Sequence, residues 1–286
     1  MTPLLFSSVS EHTPASGRPL HVAVIGSGAI GGAVVEAIAN GRVPDAQLVS
    51  ALRSDSTEAE FDRAIAAADV VVEATTVAAA EKYIPQVTAA GKDIIVCSCG
   101  VFARHGNPRD LIGGSTGPGA ARAGRVLVPA GAVGGLDVLA AAARAGTGDA
   151  RLRHYTIKSP AALGVEGRLS EHREVFRGSA REAALEYPRT SNASVALALA
   201  TLGLDLVEVI VVADPRVSRT RHVVEWESPM GSYEMSFENS LDPDSGGRTS
   251  AITAWSVAEL LIGIHDGVGP GAVVLGRPVE GVSMGP

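Results

Sequence analysis

A glycine-rich turn near the start of the chain has the spacing of a dinucleotide-binding site. The turn reads Gly26-x-Gly28-x-x-Gly31 and follows the apolar run at residues 22–25. In such a turn the first glycine reverses the chain, the second admits a pyrophosphate, and the third lets the next helix pack on the strand. The N–H groups at the start of that helix favour phosphate. The expected cofactor-binding residues here are Gly26, Gly28, Ala29, Ile30 and Gly31.

The residues after the second expected strand bear on which dinucleotide is bound. An acidic residue there would bind the ribose 2′-OH and favour NAD. This chain has Arg53 and Ser54 instead, which suit a 2′-phosphate and favour NADP. Asp55 follows directly, and an arginine that only faces solvent is the alternative. We therefore expect NADP or NAD, with a preference for NADP.

Three further segments are expected at the same cleft, because the carboxyl ends of parallel strands share one edge of a sheet. Ala74 and Thr75 follow the third expected strand, and Cys97 ends the fourth. A second glycine-rich turn, at residues 129–137, includes Ala130 and Ala132 and follows the fifth. Ordinary packing, or a hinge at the second turn, is the alternative for these residues.

The elements that must position these residues alternate between strand and helix in the first half of the chain. Apolar runs predict strands at 22–25, 47–52, 69–73, 93–97 and 125–128, and helical patterns at 31–40, 58–67 and 78–90. Strands and helices in this alternation predict βαβ units and a doubly wound parallel sheet of the Rossmann type.

The pattern changes after residue 135. Helices are expected at 136–145, 180–185 and 194–202, and strands at 151–157, 206–213, 222–228 and 231–238. The last strands alternate polar and apolar residues, which predicts a mostly antiparallel sheet with one face on helices and one face open. We expect that open face to form the floor of the substrate site.

The predicted fold class is therefore α/β, with an N-terminal Rossmann domain and an α+β domain. Residues 1–20 are expected to be a loose arm. Residues 21–132 and 249–286 are expected to form the dinucleotide-binding domain, with a last helix at 249–264 packing back on it. Residues 133–248 are expected to form a substrate and dimerisation domain.

Composition excludes several other classes of protein. The chain has 286 residues with a formal net charge of −7 and no run of basic residues, which argues against a nucleic-acid partner. The longest apolar stretch, 195–213, contains Asp205 and Glu208, so no membrane span is expected. The two cysteines, together with the absence of a signal-like start, favour a cytoplasmic protein with reduced thiols. No metal site is expected.

Six short motifs occur in a fixed order along the chain. They are Gly26-x-Gly28-x-Ile30-Gly31, Pro129-Ala130-Gly131-Ala132-Val133-Gly134-Gly135-Leu136-Asp137, Phe176-x-Gly178-x-Ala180-x-Glu182-Ala183, Tyr187-Pro188-Arg189-Thr190-Ser191-Asn192, Asp214-Pro215 running to His222, and Thr249-Ser250-Ala251. This series resembles the L-aspartate dehydrogenase family from about residue 20 onwards. The resemblance implies oxidation of L-aspartate with NAD(P) to iminosuccinate, which gives oxaloacetate and ammonia or enters NAD biosynthesis. It also implies a homodimer.

The resemblance assigns roles to individual residues. It implies that His222 is the catalytic histidine, and that Asn192 and Ala132, or its neighbour Ala130, contact the nicotinamide end of the cofactor. The family usually has serine at Ala130, asparagine at Thr190, valine at Ala193 and asparagine at Thr220. It often has an arginine where Ile157 stands, just before Lys158.

An amino dicarboxylate substrate needs cationic or N–H partners for two carboxylates. Lys158 is one candidate, and Thr249 and Ser250, as capping hydroxyls of the last helix, are others. A solvated lysine and a plain helix cap are the alternatives.

The residues themselves agree with the role of His222, which begins an alternating strand after a proline-marked loop. An unperturbed histidine titrates near neutral pH and can move a proton to or from an amine or a water molecule. A purely structural histidine is the alternative at this position. Two other functions stay open: a related imine or carbonyl reductase with another substrate, and a non-catalytic NAD(P)-binding protein.

Overall fold

The first half of the chain forms a five-stranded parallel sheet in the order β2-β1-β3-β4-β5. The computed structural model describes residues 18–114, 122–146, 148–242 and 249–267. The strands are β1 (Leu20–Ile25), β2 (Ala46–Leu52), β3 (Val70–Glu73), β4 (Asp93–Val96) and β5 (Val126–Leu127). The chain runs outwards from β1 to β2 and then returns past β1 to β3. The topological switch point, where ligands bind in such sheets, therefore lies between β1 and β3.

Seven α-helices lie in the described residues. They are α1 (Ala29–Ala39), α2 (Glu58–Ala67), α3 (Val77–Ala89), α4 (Leu136–Ala145), α5 (Ala180–Glu186), α6 (Asn192–Ala200) and α7 (Ile252–Asp266). The parallel sheet is covered on both faces, because β1 sends Val22 and Val24 towards α1 and α7, and Ala23 and Ile25 towards α2 and α3. The prediction that the last helix packs back on the first sheet agrees with these contacts.

The second half forms a mixed sheet in the order β10-β9-β6-β8-β7. Its strands are β6 (Arg151–Lys158), β7 (Arg173–Ser179), β8 (Glu208–Ala213), β9 (Thr220–Ser228) and β10 (Gly231–Asn239). Only the β6–β8 pair is parallel, so the sheet is mostly antiparallel. The predicted fold class, a Rossmann-type parallel sheet with an α+β second unit, is confirmed.

One face of the second sheet is covered by helices and the other is open. Leu152, Val224 and Trp226 point to the covered face and join one apolar core with α4, α5 and α6. Arg153, on the open face, makes an ion pair with Glu208 at 3.0 Å. His222 and Lys158, which are almost fully buried, share the covered face. The expectation that the open face is the floor of the substrate site is therefore wrong.

The bounds of most elements lie within two residues of those expected, and the helices at 58–67 and 136–145 have the expected ends. Strand β7 was missed, because it is an edge strand whose charged residues obscure the alternation. The 3-10 helix Cys99–Arg104 was also missed.

The first strand begins inside the segment that was expected to be an arm. Leu20 already belongs to β1, so the expected arm does not extend to residue 20. Residues 1–17, 115–121, 147, 243–248 and 268–286 of the expected arm and domains lie outside the described residues. No helix among the residues that the structure describes has the length and apolar character to cross a membrane.

Candidate active site

The first glycine turn packs so closely that two of its glycines have no room for a side chain. Gly26 has a φ of +110°, and a Cβ atom there would lie 2.3 Å from the Ala74 carbonyl oxygen. A Cβ at Gly31 would lie 2.1 Å from the Gly26 carbonyl oxygen. The turn is therefore fixed against the end of β3, where Ala74 and Thr75 lie.

Gly28 has a different environment, which fits a bound phosphate. A Cβ at Gly28 would meet no heavy atom within 4 Å. Gly28 is the N-cap of α1 and offers no side-chain cap, and the first turn, which includes Ala29 and Ile30, has no acidic residue. The N–H groups at the start of α1 thus face open space with no competing carboxylate, which is the arrangement that a dinucleotide pyrophosphate requires.

A buried carboxylate holds the ends of β3 and β4 together beside this turn. Glu73 is fully buried, and its Oε1 accepts hydrogen bonds from Thr75 Oγ1 at 2.6 Å and from Ser98 Oγ at 2.9 Å. Its Oε2 accepts from the Ser98 backbone N–H at 3.1 Å. The carboxylate thereby fixes the position of Thr75 at the cleft.

Arg53 and Ser54 lie at the exposed carboxyl end of β2, and Asp55 beside them is exposed as well. The Arg53 backbone N–H donates to Ser56 Oγ at 3.0 Å, which shapes the turn. These residues therefore lie at the strand end where a ribose of a dinucleotide is recognised in this type of fold.

A pocket opens between the carboxyl ends of the parallel strands and the covered face of the second sheet. It brings together many of the expected site residues: Ile30, Cys97, Ala130, Ala132, Lys158, Asn192, His222, Thr249 and Ser250. Pro129 and Gly131 of the second glycine turn also line it. The rest of the wall consists of residues that were not expected at the site: Cys99, Arg189, Thr190, Ala193 and Thr253. None of these described wall residues is acidic.

His222 lies on the inner wall of this pocket and is only 3% exposed. Its Nδ1 is 3.1 Å from His154 Nε2 and 3.4 Å from Thr156 Oγ1. Its other ring nitrogen, Nε2, has no hydrogen-bond partner among the described residues. Burial, and then the neighbouring His154 and Lys158, lower the pKa of His222 well below its usual range. The ring is therefore neutral at neutral pH.

Lys158 is the second ionisable group on this wall. It lies on β6 four residues after His154 and is 4% exposed. Burial lowers the pKa of its ammonium group to about 8, so the side chain is mostly charged at pH 7. Ile157 points to the opposite face of β6, next to Arg221. An arginine at position 157 would therefore leave the pocket face of the strand unchanged.

The opposite wall is formed by the starts of two helices and a loop arginine. α6 begins at Asn192, and the exposed Arg189 precedes it. α7 begins at Ile252 with Ala251 as its N-cap, so Thr249 and Ser250 lie just before the N-cap position. Ser250 pairs with Leu241 in an isolated β-bridge. Both helix N-termini carry partial positive charge, which favours an anion in the pocket.

The second glycine turn is anchored so that its backbone lines the pocket. Asn239 Nδ2 donates to the Ala132 carbonyl oxygen at 2.8 Å, and the Gly131 N–H donates to Ser256 Oγ at 3.0 Å. Asn192 Oδ1 accepts from the Gly100 N–H at 3.3 Å, which leaves its Nδ2 as the donor for a ligand.

The two cysteines are not suited to nucleophilic or metal chemistry. Both are free and buried, and burial followed by the nearby Glu73 raises their thiol pKa values. A thiol that keeps its proton is a weak nucleophile and a poor ligand. The described residues contain no group of His, Cys, Asp or Glu side chains arranged to hold a metal ion.

One residue that was not expected at the site, His154, carried a signal in the sequence. His154 and Lys158 are four residues apart on β6, so their side chains lie on the same face of the sheet. His222 lies two residues before Val224 and four before Trp226 on β9, so it shares their face. Arg189 lies in a loop, and no periodicity predicts where a loop side chain points.

Comparisons with known proteins agree with this architecture. Residues 137–264 match the family model described as aspartate dehydrogenase, C-terminal, and residues 26–113 match the one described as homoserine dehydrogenase, NAD binding domain. The crystal structure of aspartate dehydrogenase from Thermotoga maritima superposes with a TM-score of 0.64 at 25% identity, covering 90% of this chain and 99% of that one.

Two sequence relatives cover nearly their whole length. An L-aspartate dehydrogenase of Methanopyrus kandleri is 33% identical over 88% of this chain and 98% of its own. One of Pseudomonas aeruginosa is 32% identical over 85% of this chain and 96% of its own. The expectation of an NAD(P)-binding oxidoreductase is thereby confirmed, and the chain belongs to the L-aspartate dehydrogenase family.

Proposed function

We propose that this protein is an NAD(P)-dependent dehydrogenase that oxidises L-aspartate. The amine becomes an imine, iminosuccinate, when the Cα–H leaves with two electrons as a hydride and the nitrogen loses a proton. Water then adds to the C=N bond and ammonia leaves, which gives oxaloacetate. The reverse reaction is reductive amination of oxaloacetate.

The observation that carries this proposal is the charge pattern of the pocket. Lys158 and Arg189 line it together with two helix N-termini, and no acidic side chain does so among the described residues. Such a wall attracts anions and suits a ligand with two carboxylates. A neutral, buried His222 lines the same pocket, where it could meet the reacting nitrogen of an amino dicarboxylate.

The residues for the cofactor fit a dinucleotide. The start of α1, with Gly28 open beside it, would bind the pyrophosphate. Ala130, Ala132, Cys97 and the Nδ2 of Asn192 would surround the nicotinamide end. A bound nicotinamide supplies the hydride acceptor.

His222 is proposed as the general base. Because its ring is neutral at neutral pH, it can take the proton from the substrate's amino nitrogen. Once the ring has released that proton to solvent, it can activate the water that attacks the imine. In the reductive direction the protonated ring returns the proton to nitrogen.

We keep the preference for NADP over NAD as part of the proposal. Arg53 and Ser54 are both exposed at the end of β2, and a guanidinium binds a 2′-phosphate well. The exposed Asp55 nearby would support some use of NAD. Thr249 and Ser250 are proposed to bind the substrate from the α7 side.

The test is absorbance at 340 nm with a panel of L-amino acids, each with NAD and with NADP, and the reverse assay with oxaloacetate and ammonium. We expect aspartate to give the highest kcat/KM, with NADP the better cofactor. Turnover of another imine or carbonyl compound in place of aspartate would support a related reductase. Cofactor binding without any turnover would identify a non-catalytic NAD(P)-binding protein.

Some expectations from the sequence stay predictions. They are a homodimer, a cytoplasmic location, a contribution to NAD biosynthesis, and the division into a dinucleotide-binding and a substrate domain.

A further inference from the structure

A row of three polar side chains leads from the pocket into the core of the second lobe. His154, on β6, is fully buried, and its Nε2 is 3.1 Å from His222 Nδ1. His154 Nδ1 is 2.9 Å from Ser194 Oγ on α6, and Ser194 is also buried. The two rings are nearly parallel, with centroids 5.1 Å apart. The function proposed above uses His222 alone and leaves the other two without a role.

The protons in this row can be arranged in two ways. Burial lowers the pKa of His154 to about 3, so both rings are neutral and each carries one N–H. In the first arrangement His222 Nδ1–H donates to His154 Nε2, and His154 Nδ1–H donates to Ser194 Oγ. In the second, both donations are reversed, and His222 presents Nε2–H to the pocket.

The pocket chemistry selects between the two arrangements. The side chains of Lys158 and Arg189 only donate hydrogen bonds, and no carboxylate in the described wall can accept one from an amine. Among the ionisable side chains of the described wall, the imidazole of His222 is the one suited to take a proton from an amine, and it needs a free lone pair to do so. Only the first arrangement leaves such a lone pair on His222 Nε2, the ring nitrogen that has no partner among the described residues.

We propose that His154, held by Ser194, fixes His222 in the Nδ1–H tautomer, so that the Nε2 lone pair takes the proton from the substrate's amino nitrogen. The proposal rests on the proposed function of His222. In the proton transfer, Nε2 gains the proton that the nitrogen loses, and the Nδ1–H bond stays intact. His154 and Ser194 are positioning residues, because neither lines the pocket.

His154 accepts the hydrogen bond from His222 as a neutral group, and its effect on the pKa of His222 differs from that of a carboxylate in the same place. A carboxylate beside the imidazole would stabilise its charged form and raise its pKa. His154 fixes the tautomer without adding negative charge. The ionisable groups that face His222 are His154 and Lys158 on β6. The pocket wall adds Arg189 and the two protonated thiols. None of these described groups stabilises the charged form of the His222 ring.

The tautomer can be measured directly, without substrate or cofactor. Two-bond ¹⁵N–¹H NMR of histidine-labelled protein at pH 7.5, with His222 assigned from His222→Gln, should show His222 protonated at Nδ1 and not at Nε2. His154→Phe keeps a ring but removes the acceptor, and should convert His222 wholly or partly to the Nε2–H form. His154→Gln can still accept through its amide oxygen and should preserve the Nδ1–H form.

Kinetics with the same variants test the consequence. We expect kcat for aspartate to fall about 100-fold in His154→Phe and no more than about fivefold in His154→Gln, because the loss comes from general-base catalysis. Thermal melting of both variants measures any loss of packing. The exposed His172→Gln is the control and should match the wild type.

Two results would overturn the inference. One is a wild-type His222 that carries its proton on Nε2. The other is a fall in kcat that is equal in His154→Phe and His154→Gln and that is accounted for by their lower melting temperatures. A failure of the proposed function gives a different result, since wild-type protein would then show the Nδ1–H tautomer yet not oxidise aspartate.

Discussion

His154 Nε2 lies 3.1 Å from His222 Nδ1, and both rings are buried on the covered face of the second sheet. The two residues lie on neighbouring strands but are not directly opposite, because the register pairs His154 with Val224 and His222 with Thr156. The contact is thus a diagonal one between strands. It places one nitrogen of His222 against the core and leaves the other for the pocket.

Removing the imidazole of His222 should impair chemistry and leave cofactor binding unchanged. We expect His222→Ala to lower kcat by about 10²–10⁴-fold, because a general base contributes that much. Steady-state kinetics with aspartate give kcat, and quenching of protein fluorescence gives the Kd for NADPH. An unchanged kcat would remove His222 from the mechanism.

Loss of either pocket cation should weaken substrate binding. Lys158→Met and Arg189→Met should each raise the KM for aspartate about 10–100-fold, since each removes a charge-assisted contact to a carboxylate worth about 1.4–2.8 kcal/mol. Lys82→Met, at an exposed lysine on α3, is the matched control. L-alanine has one carboxylate, so only one of the two variants should raise its KM. A rise of equal size in both variants would contradict the assignment of one cation to each carboxylate.

Binding of a dicarboxylate should weaken as the pH rises through about 8. Burial lowers the pKa of Lys158 to about 8, so its positive charge is present below that pH and is lost above it. Succinate has no amine that titrates in this range, and its inhibition constant should rise between pH 7 and 9.5. Lys158→Arg keeps its charge throughout and should remove the rise. A constant value in the wild type would contradict the role of Lys158.

Two glycines of the first turn should respond to alanine in opposite ways. Gly28→Ala should leave stability within about 1 kcal/mol, because a Cβ there meets no atom within 4 Å, yet it should weaken NADPH binding at least about tenfold. Gly31→Ala should lower the free energy of unfolding by about 1–3 kcal/mol, because its Cβ would lie 2.1 Å from the Gly26 carbonyl oxygen. Urea unfolding and cofactor titration separate the two effects. Full NADPH affinity in Gly28→Ala would place the pyrophosphate elsewhere.

The preference for NADP should depend on Arg53. We expect Arg53→Ala to raise the KM for NADP about tenfold, since about 1.4 kcal/mol is lost with one charge-assisted contact, and to leave the KM for NAD unchanged. Arg144→Ala, at an exposed arginine in the last turn of α4, serves as the control. Equal effects on both cofactors would show that Arg53 does not contact a 2′-phosphate.

The parallel sheet could be predicted from the sequence because each of its strands is a short apolar run ended by a turn. Val22–Ile25 and the glycine turn are local signals, and β3 is buried on both faces as a central parallel strand should be. Strand β7 could not be predicted in this way, because it lies at a sheet edge and carries Arg173, Glu174 and Arg177.

The site could be predicted only in part. Cys97, Ala130 and Ala132 line the pocket as expected, because topology fixes where strand ends meet. Ala74 and Thr75 lie beside the first glycine turn instead. The expectation that the open face of the second sheet forms the floor of the substrate site was wrong. Alternation of polar and apolar residues defines two faces but does not show which one a helix covers. Arg189 and the contact between His154 and His222 depend on tertiary packing, which no local pattern contains.

The most direct test of this account is a crystal structure with bound NADP⁺ and succinate. We expect the nicotinamide beside Asn192 and Ala132, the two carboxylates at Lys158 and Arg189, and His222 Nε2 facing the succinate carbon that corresponds to Cα of aspartate. A nicotinamide or a succinate bound outside this pocket, with the ring of His222 facing neither, would contradict it.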